Sequence, residues 1–177
     1  LLLATARRVV EGDRVVRSGR FKFWAPFHFL GREVTGKTLG IVGMGRIGQA
    51  LARRARGFSM PVLYHSRTPL RKSLEKQLHA TFLPLISLLK EADFVSLHVP
   101  LSAETTHLIS RDELALMKPT AFLINTSRGP VVDEQALLNA LREGVIAGAG
   151  IDVYEREPVI TAGLEKIDQA VLLPHVG

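Results

Sequence analysis

The chain has 177 residues, 46% of them hydrophobic and 23% charged, with a formal net charge of +6 and no cysteine. That length suits one domain of ordinary size, with or without an appendage, and the balance is that of a globular protein with a good core. The lack of cysteine excludes disulfides and thiolate metal sites and fits a reducing cytoplasm, no metal site is predicted, and no apolar run reaches the roughly 18 residues of a membrane span.

Leu1 to Arg17 reads as one helix, with Leu2, Leu3, Ala6, Val9 and Val10 in one apolar stripe and arginines opposite. Leu1-Leu2-Leu3 runs into Arg7 and Arg8, which is not the pattern of a signal peptide. From Arg20 to Arg32 the periodicity disappears, and Phe21, Phe23, Trp24, Phe27 and Phe29 crowd around Pro26. Aromatic residues in a loop need a burial partner, either the domain's own core or a subunit interface.

At Lys37 the pattern changes. The apolar run Leu39–Val42 feeds Gly43-Met44-Gly45-Arg46-Ile47-Gly48, and Ile47, Leu51 and Ala55 follow at helical spacing. Strand, glycine-rich turn and helix are the context in which G-x-G-x-x-G points to a dinucleotide. Gly43 permits the tight turn, Gly45 lets a pyrophosphate approach the backbone, and Gly48 lets the helix lie close to the strand. The N–H groups of Arg46 and Ile47 then face the phosphates, backed by the helix dipole. Arg53, Arg54 and Arg56 lie further along, followed by Arg67, Arg71, Lys72 and Lys76. No recognition motif accompanies this basic excess, so an anionic dinucleotide is a sufficient partner and nucleic acid is not expected.

Beyond the turn, strands and helices alternate. Strands are predicted at 61–64, 80–83, 93–97, 121–125, 147–152 and 171–173, and helices at 70–79, 85–92, 110–117 and 133–143. Ser110 with Glu113 forms a capping box, and Asp133 is the N-cap of the last helix. This alternation means a doubly wound α/β fold of the Rossmann kind, a mostly parallel sheet with helices on both faces. Ligands bind off the carboxyl ends of such strands, and Gly43, Ser66, His98, Thr126, Asp152 and Pro174 follow those ends here.

An NAD site usually presents an acidic residue about 20 residues after the glycines, for the ribose 2′-hydroxyl. No carboxylate occurs between Val34 and Leu74, and the second strand runs out into Ser66-Arg67-Thr68. Ser66 can hydrogen-bond a 2′-phosphate and Arg67 can pair with it, so NADP is favoured, with NAD still able to bind.

Three late segments place polar residues at strand ends: Asn125–Asp133, Gly150–Pro158 and Leu172–Gly177. Together they bring Arg128, Glu157 and His175 toward one cleft. With Gly43–Gly48, His98-Val-Pro-Leu101, Asn125–Gly129, Asp152–Pro158 and Pro174-His175, the chain resembles the D-isomer-specific 2-hydroxyacid dehydrogenases over its whole length. Arg54–Arg67 resembles the glyoxylate/hydroxypyruvate reductases within that family. The resemblance implies that Arg128 binds the carboxylate of a small 2-oxo acid, that His175 is the general acid and that Glu157 orients it. It also places Asp152 and the backbone near Thr126 at the nicotinamide carboxamide, and His98, Val99 and Pro100 along the cofactor cleft; His98 itself is read as structural.

Family members carry a separate catalytic domain built from both chain ends. Residues 1–36 would then be the interdomain and dimerisation segment, and residues 37–177 the dinucleotide-binding domain of a homodimer. Two other functions fit the same motifs: an NAD-linked dehydrogenase such as a phosphoglycerate dehydrogenase, and a dinucleotide-sensing corepressor.

Overall fold

The structure, a computed structural model, describes residues 1–24, 26–27 and 29–177; Ala25 and His28 of the predicted aromatic loop lie outside the described residues. Seven strands, β1 (Leu39–Val42), β2 (Val62–His65), β3 (Ala80–Phe82), β4 (Phe94–Leu97), β5 (Phe122–Asn125), β6 (Gly148–Ile151) and β7 (Ala170–Leu172), form one sheet in the order β3-β2-β1-β4-β5-β6-β7. Every pairing is parallel. The sheet is thus wholly parallel among the described residues, where the sequence predicted mostly parallel.

The short apolar runs become strands because both faces of the sheet are covered, and β1, β4, β5 and β6 are buried at every residue. On one face, helices α5 (Leu85–Glu91), α6 (Arg111–Leu116) and α7 (Glu134–Arg142) contribute Leu88, Leu114 and Leu137 against Val42, Val95 and Leu123. The other face packs Ala6, Ala52 and Leu78, from α1 (Leu2–Ala6), α3 (Arg46–Ala55) and α4 (Lys72–Leu78), against Leu39, Ile41 and Phe94. Phe94 and Phe122 are register partners and stack at 5.4 Å between centroids.

The predicted caps are in place. Ser110 and Glu113 form the capping box of α6, and the Asp133 side chain accepts from Ala136 N at 2.8 Å. Asp133→Ala should therefore destabilise the chain by about 1 kcal/mol, read as a lower midpoint in urea at unchanged slope.

Two expectations are corrected. The predicted first helix is two, α1 and α2 (Val9–Arg17), separated by Arg8 in the left-handed region at φ 53°. Arg8 forms a two-pronged contact with Glu11 at 2.6 and 2.7 Å and lies 4.9 Å over the Phe29 ring. The apolar stripe is consequently split: Ala6 is in the core, whereas α2 has no buried residue and leaves Val9 and Val16 exposed. The second correction is Ile47, which is 68% exposed; α3 meets the sheet through Gly48, Ala52 and Ala55 instead. Phe21, Phe23, Trp24 and Phe27 are also exposed, so the domain's own core is not their burial partner.

Candidate active site

The strand register lines up one edge of the sheet. His65, Val42, Leu97, Asn125, Ile151 and Leu172 form a continuous row of paired residues across six strands. The residue following each is Ser66, Gly43, His98, Thr126, Asp152 or Leu173, so five of the positions picked out in the sequence fall on one line and Pro174 stands one residue beyond it.

At the β1–α3 turn, Gly43 has φ +100°, and a side chain there would run into the backbone of His98 and Val99. A Cβ at Gly48 would overlap the carbonyl of Gly43, so that glycine sets the close approach of helix to strand. Gly45, the N-cap of α3, faces open space, with no atom within 4 Å of where a Cβ would stand. Arg46 and Ile47 are exposed beside it. The first N–H groups of a helix have no partner within the helix. Open space above unpaired donors and a positive helix end is what an anionic pyrophosphate requires.

At the end of β2 the Ser66 hydroxyl donates to Thr68 O at 2.8 Å, closing a small turn with Arg67 and Thr68 exposed. Buried Tyr64 supports this turn from below: its hydroxyl donates to Glu75 at 2.7 Å and accepts from Leu70 N at 2.8 Å. Burial and the Glu75 carboxylate push the Tyr64 phenol up to about 12, so it stays a donor. Across the cleft, Glu104 is held below the usual carboxylate range by the Ser102 hydroxyl and its own N–H, with a further contribution from the charge of Arg67.

After β4, His98 Nε2 lies 2.9 Å from Ser96 Oγ, and burial lowers its pKa, which keeps the ring neutral. Val99 packs on the core, and exposed Pro100 accepts at its carbonyl from the Thr105 hydroxyl at 2.7 Å.

Three loops then converge. Asn125 builds the first, accepting from Ser127 N and Oγ and donating to Arg128 O at 3.0 Å. Arg128 is exposed and anchored by its own guanidinium to Ser127 O at 2.6 Å. A side chain at Gly129 would collide with Tyr154 O, so this loop lies directly on the one after β6. In that second loop Glu157 Oε1 accepts from Tyr154 N at 3.0 Å. Its Oε2 lies 2.8 Å from His175 Nδ1 in the third loop. The His175 hydrogen bond, then the Tyr154 N–H, and the charges of His175 and Arg128 hold Glu157 below the usual carboxylate range. Tyr154 also ties the loops together, its hydroxyl donating to Leu173 O at 2.8 Å.

Asp152 is buried and accepts from Val176 N at 2.9 Å and Gly177 N at 2.7 Å. It braces the turn after His175, and each oxygen keeps a second lone pair. Thr126 stands beside it, half-buried.

An open hollow of about 330 Å³ lies against Glu157 and His175, walled by Tyr154, Ile160 and Leu172. A larger one of about 780 Å³ opens at the opposite, amino edge of the sheet, between Arg8, Arg14 and Ala170. The chemistry gathers at the smaller. Among the described residues no group of three His, Asp or Glu side chains is placed to hold a metal ion. No helix among them is long and apolar enough to cross a membrane.

Sequence reasoning missed Tyr154, Asn125 and Glu134. Tyr154 reads as an ordinary core aromatic and Asn125 as a strand end. Glu134 has the look of a first-turn acid on an exposed helix, yet it is buried.

A parallel sheet in this order, entered through a glycine turn under a helix N-terminus, defines a dinucleotide-binding α/β domain. Comparison with known proteins agrees: over residues 1–177 the chain matches the family described as D-isomer specific 2-hydroxyacid dehydrogenase, NAD binding domain. The chain belongs to that family.

It is 58% identical over 181 residues to a glyoxylate reductase of Thermococcus onnurineus, covering all of this chain and 54% of the relative. A Thermus thermophilus protein of known structure is 51% identical and superposes with a TM-score of 0.91, over 99% of this chain and 54% of that one. An NADPH-dependent glyoxylate/hydroxypyruvate reductase of Sinorhizobium meliloti, solved with NADP and malonate, is 38% identical with a TM-score of 0.90, over 99% and 54%. The chain therefore spans about half the length of the relatives it matches.

Proposed function

We propose that this chain is the cofactor-binding half of a reductase that transfers hydride between NADP(H) and a small 2-oxo or 2-hydroxy acid, with glyoxylate or hydroxypyruvate as substrate. The observation that carries this reading is the 2.8 Å contact between His175 Nδ1 and Glu157 Oε2, on the same sheet edge as the Gly43–Gly48 turn. The names of the similar proteins support the substrate class.

The residues fit the cofactor. Gly43, Gly45 and Gly48 leave room for a pyrophosphate at the N–H groups of Arg46 and Ile47, and Ser66, Arg67 and Thr68 suit an adenosine 2′-phosphate. Val99, Pro100, Thr126 and Asp152 would line the nicotinamide end. When bound, the reduced nicotinamide supplies the hydride.

The chain's own residues supply the rest. Arg128, a fixed planar cation, would hold the substrate carboxylate and orient the carbonyl. With Nδ1 committed to Glu157, the Nε2 of His175 is the nitrogen left to deliver a proton to the carbonyl oxygen. Glu157, ionised at neutral pH, would stabilise the imidazolium before that transfer.

The test is NADPH consumption by the full-length protein. Steady oxidation with glyoxylate or hydroxypyruvate is expected. Cofactor binding without turnover on any 2-oxo acid would reject the reading in favour of a dinucleotide-sensing corepressor, and turnover confined to NADH would favour an NAD-linked dehydrogenase.

Residues 1–36 would serve as a dimerisation arm. Val9, Val16, Phe21, Trp24, Phe27 and Leu30 are all more than half exposed there. A symmetric dimer is expected at micromolar concentration in sedimentation, and Trp24→Asp should shift it toward monomer. A wild-type monomer would rule the arm out as an interface.

A further inference from the structure

Glu134 is the first residue of α7, and its side chain is only 3% exposed. A carboxylate is costly to bury without compensation. Here the compensation comes entirely from one loop. Glu134 Oε1 accepts from Glu155 N at 2.7 Å, and Oε2 accepts from Thr161 N at 3.1 Å and Thr161 Oγ at 2.8 Å. The contact is reciprocal, because Glu134 N donates to Glu155 Oε1 at 2.8 Å. Both ends of the 155–161 loop are thereby fastened to the start of α7, and Glu157 lies between them. Helix capping does not account for the arrangement, since Asp133 already caps α7.

We propose that Glu134 is a positioning residue: it clamps the 155–161 loop and so holds Glu157 against His175. This rests on reading Glu157 and His175 as the proton-delivering pair. The Glu157 carboxylate stays close to Nδ1 only if its backbone is fixed. Its own side chain is exposed, and among the described residues its hydrogen-bond partners are Tyr154 N and His175. Among the described residues, the other charged or titratable groups facing this loop are Arg128, Asp152, Tyr154 and His107, whose Nε2 lies 3.2 Å from Glu155 Oε1. None of them binds both ends of it.

The test uses the full-length protein and its reductive pH profile. Glu134→Gln replaces an acceptor by an NH₂ that faces a backbone N–H, so one arm of the clamp opens. We expect about a tenfold loss of kcat, an unchanged KM for NADPH, and an alkaline limb moved to lower pH, in the direction Glu157→Gln moves it. On a Glu157→Gln background the same change should add no further displacement, as for two residues acting through one contact. Thr161→Val, which removes one hydroxyl donor, should move the limb the same way by less, and decides the matter if Glu134→Gln does not fold.

A lower melting temperature with the limb unmoved, while Glu157→Gln moves it, would make Glu134 merely structural and overturn the proposal. If Glu157→Gln itself leaves the limb in place, the proton-delivery reading fails and takes the proposal with it. Faster amide exchange at Glu155 and Thr161 in Glu134→Gln would then still report the clamp separately.

Discussion

Replacing His175 by alanine in the full-length protein should lower NADPH-driven turnover of glyoxylate by about 10²–10⁴, the usual share of a positioned general acid. The carbonyl oxygen must gain a proton as hydride arrives, and His175 stands at this edge with the Glu157 carboxylate 2.8 Å from its Nδ1. Cofactor affinity should scarcely change, because the glycine turn and the Ser66 turn belong to β1 and β2, whereas His175 follows β7 at the other side of the sheet. The kinetic signature is a fall in kcat with KM for NADPH intact. Near-normal turnover in His175→Ala would remove it from the chemistry. A parallel fall in NADPH affinity would point to a collapsed edge instead.

The second large effect concerns cofactor choice. The chain should bind NADPH more tightly than NADH by roughly tenfold to a hundredfold, the equivalent of one charge-assisted contact of about 1.5–3 kcal/mol. Arg67 is exposed beside the Ser66–Thr68 turn, and buried Tyr64 and Glu75 hold the base of that turn in place. Arg67→Asp puts a negative charge against the 2′-phosphate and an acceptor near the ribose hydroxyls of NADH, so the preference should reverse. Titration of either cofactor by fluorescence reads the result directly. Equal affinities in the wild type would show that the Ser66 turn does not select the phosphate.

The edge of the sheet was legible in the sequence because strand ends announce themselves. An apolar run that stops at Gly43, Ser66, His98, Thr126 or Asp152 marks both the strand and its ligand side, and the parallel register then sets those positions in one row. Caps were legible for the same local reason, as at Ser110 and Asp133. What could not be read was tertiary. The helical pattern of 1–17 does not show the break at Arg8, because besides its neighbour Glu11 the Arg8 side chain is placed by Phe29, which lies in the aromatic loop. Ile47 fitted the helical spacing but sits at the open mouth of the turn, where small Gly48 and Ala52 take the buried face. Glu134 is the sharpest case. Its burial is created by a loop more than twenty residues later, and no periodicity in α7 foretells it.

The central claim, that Glu157 and His175 deliver the proton as a unit, is tested most directly by the pH profile of NADPH-driven glyoxylate reduction, with wild type beside Glu157→Gln. Glu157 is held below the usual carboxylate range, so its carboxylate stays ionised throughout neutral pH and is lost as a partner only as pH falls through that lowered value. On the alkaline side, reduction should fail as the imidazolium gives up its proton. Removing the Glu157 charge while keeping a hydrogen-bonding group makes that loss easier, so the alkaline limb of Glu157→Gln should fall at lower pH than that of the wild type. Coincident alkaline limbs in the two proteins would contradict the account.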